Sequence, residues 1–126
     1  LQKPIVSAVN PYTFGKYFTD HMLSIDYSAD KGWATPKIVP NMPFKIATTA
    51  TSLHYGISAY EGISVVKNSV TGVPQGFRVN DSLKSFEESN EHVDMPKFSS
   101  PEFLKCIKQL VKLDEHWFPD LNNEPS

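Results

Sequence analysis

The clearest period in the chain is helical and lies toward its C-terminal end. Phe103, Leu104, Ile107, Leu110 and Val111 recur at helical spacing, with Lys105, Lys108, Gln109 and Lys112 between them. One stripe is therefore apolar and the opposite face is wet. Ser100 caps this helix, Pro101 takes its first position, Glu102 lies near the positive end of its dipole, and Trp117 extends the stripe. A weaker helix follows Asn80 or Asp81 as its cap. Leu83, Phe86 and Asn90 share its inner face, and Lys84, Glu87, Glu88 and Glu91 its outer one. A third helix is expected from Ser52, as N-cap, to Gly62, whose missing Cβ suits a left-handed terminus. Leu53, Gly56, Ile57 and Tyr60 form its close-packing stripe.

Elsewhere the period is two. Leu23, Ile25 and Tyr27 alternate with Ser24 and Asp26, which predicts a half-buried strand. The preceding stretch from Phe14 to Met22 is aromatic and β-branched enough for a strand, with Gly15 at a bulge or a close backbone approach. Gly32 turns a loop over 28–33. Pro36–Val39 and Phe44–Ile46 are short extended pieces that Pro40 and Pro43 confine to a sheet edge. Ile63–Val66 and Gly76–Val79 predict a hairpin whose loop holds Asn68, Gly72 and Pro74. Residues 1–13 read as an extended arm, 14–119 as one domain and 120–126 as a disordered tail. The fold class is α+β, an antiparallel sheet with helices packed on one face.

Composition narrows the choice of function. A chain of 126 residues that is 40% hydrophobic and 21% charged is one globular domain. A net charge of −2, a single arginine (Arg78) and no basic stripe argue against a nucleic-acid partner. No apolar run approaches the length of a bilayer-spanning helix, so no membrane insertion is expected. The single cysteine, Cys106, excludes an internal disulfide framework and fits a reducing compartment, mitochondrial or cytoplasmic. Its neighbours Leu104, Ile107 and Leu110 mark it as a small buried hydrophobe rather than a reactive thiol.

Candidate chemistry is sparse. His21, His54, His92 and His116 are isolated, none in an i, i+4 pair or beside a cysteine pair, so no metal site is expected. Asp20 and His21 would make an acid and the base it orients, but strand neighbours point to opposite faces, which favours structural roles. No nucleophile elbow and no glycine-rich phosphate loop occur, and no catalytic residue is assigned. Glu87, Glu88 and Glu91 read as a solvated helix face. Tyr55 and Tyr60 suit either a pocket wall or a core in which their hydroxyls find partners.

The stretch Leu53-His54-Tyr55, followed by Tyr60-Glu61-Gly62, resembles the small N-terminal domain of branched-chain amino acid aminotransferases. These are pyridoxal-phosphate enzymes of the D-amino-acid-aminotransferase-like fold, fold type IV. Phe14-Gly15, then Phe18-Thr19-Asp20-His21-Met22, resembles their opening strand. The run from Lys105 to Asp114, followed by Trp117, resembles their helix before the interdomain linker. The resemblance implies a substrate-binding wall made of Phe14, Tyr55 and Tyr60 around a branched aliphatic side chain, each buried methylene contributing about 0.8 kcal/mol. It implies amino transfer to 2-oxoglutarate, with pyridoxal phosphate as cofactor, only together with a C-terminal domain that carries the Schiff-base lysine. That lysine has no match among the eleven lysines of this chain. Alignment through Ser89 puts Ser85 where the family's phosphate-binding arginine stands, and Arg78 lies on the preceding strand. A phosphate facing Ser85 loses a bidentate, charge-assisted contact, and Lys84 offers only a point charge one helical step away.

Three readings follow. The chain is part of a branched-chain aminotransferase, partnered by its C-terminal domain or a homodimer mate. Alternatively it is a degenerate domain that serves as a structural or interaction subunit of a larger complex. The third is a small-ligand domain built on the Tyr55 and Tyr60 wall.

Overall fold

A computed structural model describes residues 15–118; the expected arm, the tail and Phe14 lie outside the described residues. The architecture is α+β, with every strand pairing antiparallel. The strands are β1 (His21–Ser24), β2 (Tyr27–Ser28), β3 (Gly32–Trp33), β4 (Lys37–Pro40), β5 (Val65–Lys67) and β6 (Pro74–Gly76). The helices are α1 (Thr51–His54), α2 (Val79–His92) and α3 (Ser100–Leu113), and a 3-10 turn covers Glu115–Trp117.

The single sheet expected from the sequence is instead three two-stranded ribbons, β1–β4, β2–β3 and β5–β6. In the β1–β4 ribbon Met22 faces Val39 and Leu23 faces Ile38, and just past the His21–Pro40 pair the Asn41 N–H donates to the Asp20 carbonyl. Among the described residues β1 begins at His21, so only the last two residues of the strand expected over 14–22 belong to it. The loop expected over 28–33 contains a tight hairpin, with Gly32 in the left-handed region (φ +73°) that a side-chain-bearing residue enters at a cost. The β5–β6 hairpin lies where the pattern put it, but Val79 belongs to α2 rather than to a strand. Phe44–Ile46 forms no strand.

Helices α2 and α3 carry the packing. Leu83 (2% exposed) is the one fully buried apolar residue among those described, and Asn90, two turns on along the same face of α2, is buried with it. The amide of Asn90 donates to the carbonyl of Phe86, so its polar atoms are satisfied inside the helix. Phe86 meets Phe98 and Phe103, and Phe98 meets Phe103 and Trp33, with ring centroids 5.5–6.5 Å apart. This aromatic chain joins β3, α2 and α3.

The caps differ from the expected ones. Ser99, not Ser100, caps α3, its hydroxyl accepting from the backbone N–H of Glu102. That shift frees the Ser100 hydroxyl to donate to Glu87, so Glu87 ties α2 to α3 instead of lying on a solvated face. Arg78 heads α2 in a left-handed conformation (φ 47°), and neither Asn80 nor Asp81 is the cap. Trp117 lies in the 3-10 turn beyond α3, not on its stripe.

The largest departure is over 52–62. The expected helix ends after one turn, because Gly56 adopts φ +64° just past the Tyr55 cap. The left-handed terminus expected at Gly62 falls six residues early. Residues 56–64 then run without regular structure.

Candidate functional site

Early termination of α1 decides where the two candidate tyrosines go. Tyr55 and Tyr60 are 79% and 80% exposed, on the irregular segment that leaves the helix. Leu53 beside them is also exposed, and so are Phe44 and Ile46 upstream. Residues 44–60 thus present large apolar side chains that no other described element covers. Phe14, the third expected wall residue, lies outside the described residues.

A half-open apolar space exists elsewhere. A cavity of about 490 Å³ opens between the first two ribbons and the helices, walled by Leu23, Ile25, Trp33, Phe86, Phe98 and Phe103. Neither tyrosine lines it. Cys106 lines it and is half-buried, not the fully buried hydrophobe expected.

The polar centre of the molecule is at the end of α3. Asp114 is 2% exposed and accepts two hydrogen bonds from His21, one from the backbone N–H (3.0 Å) and one from Nδ1 (2.7 Å). Burial alone would push this carboxyl up. The bonds from the His21 ring and backbone, with help from the Thr19 hydroxyl, outweigh burial and hold it below the ordinary carboxylate range. Two residues on, Nε2 of His116 meets Asp20 at 3.1 Å. The expectation of structural roles for Asp20 and His21 gains its geometry here: each finds a partner more than 90 residues away. Sequence reasoning missed both pairs, whose only trace is Asp20-His21 toward one end of the chain and Asp114-x-His116 toward the other.

Pyridoxal phosphate, which the resemblance implies, requires an anion cradle. Ser85 and Lys84 are both exposed on the outer face of α2. The Arg78 guanidinium is engaged, with Nε 2.7 Å from the Asp81 carboxylate. The donor set among the described residues therefore does not fit the cofactor phosphate. No group of three or more metal-ligating side chains forms among the described residues, nor does any helix there have the length and apolarity to cross a membrane.

The described residues thus form an α+β fold with an uncovered, partly aromatic segment over 44–60. Comparison with known proteins supplies the class. No family model matches the chain. It is 42% identical over 119 residues to a protein of Staphylococcus aureus (strain N315) described as a probable branched-chain-amino-acid aminotransferase. That alignment covers 94% of this chain and 32% of the relative. Branched-chain-amino-acid aminotransferase 2 of Bacillus subtilis (strain 168) is 35% identical over 111 residues, 88% of this chain and 30% of the relative. The cytosolic branched-chain-amino-acid aminotransferase of Ovis aries is 37% identical over 106 residues, covering 84% and 27%. The chain is, by sequence, a relative of the branched-chain amino acid aminotransferases, and it spans about a third of the length of the curated relatives it matches.

Proposed function

We propose that the chain acts as the small N-terminal domain of a branched-chain amino acid aminotransferase-like protein of fold type IV. In this reading a C-terminal domain supplies pyridoxal phosphate and the Schiff-base lysine, and amino transfer runs to 2-oxoglutarate. This chain lends apolar and aromatic side chains, Tyr55 and Tyr60 among them, to the wall that receives a branched aliphatic side chain. The observation that carries the reading is the uncovered 44–60 segment in a chain that matches a third of each relative. An apolar surface of that kind marks an interaction site. The wall favours methyl and methylene groups because their burial, about 0.8 kcal/mol per methylene, is the only large attraction it offers. The Tyr60 hydroxyl must find a partner there or part of that gain is lost. The free thiol of Cys106 fits a reducing compartment, mitochondrial or cytoplasmic.

One observation favours a second reading, a degenerate, non-catalytic subunit of a complex. Ser85 replaces the phosphate arginine that the resemblance implies, and Arg78 is already paired with Asp81. Intact mass of the protein purified from its source, with an absorbance scan, separates the two. A species near three times 14.2 kDa with a visible-range cofactor band supports the enzyme reading. A 14.2 kDa species without the band, held in a complex with other proteins, refutes it and supports the degenerate subunit.

A further inference from the structure

The half-open space between the first two ribbons and the helices has walls that hold one another in place. Four of its lining rings, Trp33, Phe86, Phe98 and Phe103, form one connected set of tilted and edge-on contacts, 5.5–6.5 Å between centroids. Tyr27 packs edge-on against Trp33 at 5.1 Å, and the Trp33 indole N–H donates to the Lys97 carbonyl at 2.8 Å. The indole is therefore fixed, and its one polar group is used up. The polar side chains at the wall are committed as well. The Ser99 hydroxyl accepts from the Glu102 N–H, and the Glu102 carboxylate lies 2.7 Å from the Lys105 ammonium. Cys106 adds only a thiol, a weak donor and weak acceptor. A water held in such a space needs about two to four polar partners, and the side chains around it have almost none to spare.

We propose that this space is a binding site for one uncharged aromatic molecule of two or three rings. Its volume, about 490 Å³, falls within the roughly 300–1,000 Å³ of small-molecule sites. Rings at the wall reward an aromatic guest with offset or edge-on contacts beyond the area it buries. An anion is disfavoured, because the one charged side chain at the wall is itself a carboxylate. A cation gains little, since Glu102 is exposed and already paired with Lys105. A free amino acid carries both charges, and neither Tyr55 nor Tyr60 lines the space, so this is not the substrate wall proposed above. Such a site is independent of the aminotransferase reading.

N-Phenyl-1-naphthylamine, an uncharged dye that fluoresces in apolar surroundings, tests it against 1-anilinonaphthalene-8-sulfonate, which has the same rings and an added sulfonate. In titrations of the full chain the uncharged dye should fill one site per chain with a dissociation constant below about 200 μM. It should bind at least about tenfold tighter than the sulfonate, whose charge would be buried without a partner. At nine-tenths occupancy by the dye, the single cysteine, Cys106, should react with iodoacetamide about tenfold more slowly. Cys106→Phe, which puts a ring into the space from α3, should weaken the dye at least about tenfold. The paired variant Phe44→Ser, Leu53→Ser, on the uncovered segment, should bind it as the wild type does. No binding, equal affinity for the sulfonate, an unprotected thiol, a folded Cys106→Phe protein of full affinity, or loss of binding in the paired variant overturns the proposal. So does sedimentation of a dimer that the dye dissociates, because the occupant is then a second copy of the chain. Should Cys106→Phe not fold, protection of the wild-type thiol decides.

Discussion

Replacing Asp114 probes the best-defined polar contact in the molecule. Asp114→Ala removes an acceptor that takes two bonds from His21, at 2.7 and 3.0 Å. It leaves the His21 N–H and ring without partners in a half-buried site. Each hydrogen bond to a charged acceptor is worth about 1.5–3 kcal/mol, and two are lost. The His21 side chain keeps 19% of its surface, so water recovers part of that loss and the lower end, about 3 kcal/mol, is expected. Asp114→Asn keeps one acceptor of similar shape and forfeits the charge, at about 1–1.5 kcal/mol. Urea unfolding at pH 7, followed by circular dichroism, measures both. An alanine variant within 1 kcal/mol of the wild type, or an asparagine variant as costly as alanine, would refute the reasoning. The pH dependence has a definite sign. Because the folded carboxyl lies below its ordinary value of 3.8, its contribution is complete above that value and fades as pH falls through the folded one. The gap between wild type and Asp114→Asn should therefore narrow on acidification below 3.8.

Other substitutions test the fold more locally. Leu83→Ala empties the buried apolar position on α2 and should cost about 2–5 kcal/mol, read as a lowered urea midpoint. Ser99→Ala should cost about 1 kcal/mol through loss of the α3 cap, and Ser99→Asp should restore it, both measured by thermal melting. Gly76→Ala should lower the melting temperature because a Cβ there runs into the Val79 side chain, whereas Gly56→Ala meets no neighbour and should lose only about 1 kcal/mol to its left-handed backbone.

What the sequence made legible was local. Helices α2 and α3 follow from apolar spacing, and the pairing of Leu83 with Asn90 on one buried face was read correctly from i, i+7 periodicity. The β5–β6 turn announced itself through Asn68, whose side-chain oxygen accepts from the N–H groups of Val70 and Thr71. Helix α1 misled because two glycines, Gly56 and Gly62, could each end it, and spacing alone does not say which takes the positive φ. Ser99 and Ser100 posed the same ambiguity at the α3 cap. The His21–Asp114 and His116–Asp20 pairs were illegible for a different reason: no local pattern encodes a contact across most of the chain. Motif position picked out Tyr55 and Tyr60, and the structure leaves both side chains exposed.

The distance along the chain between His21 and Asp114 also sets an order of events during synthesis. The β1–β4 ribbon can close as soon as Pro40 has emerged, since its partners lie within 20 residues of one another. Its tie to the end of α3, through Asp114, lies 93 residues beyond His21. At about 5–20 residues per second, the nascent ribbon waits roughly 4–15 s for that helix. A two-stranded ribbon is marginally stable alone and carries open hydrogen-bonding edges. For those seconds it is a natural client for a chaperone, or for pairing with another nascent chain.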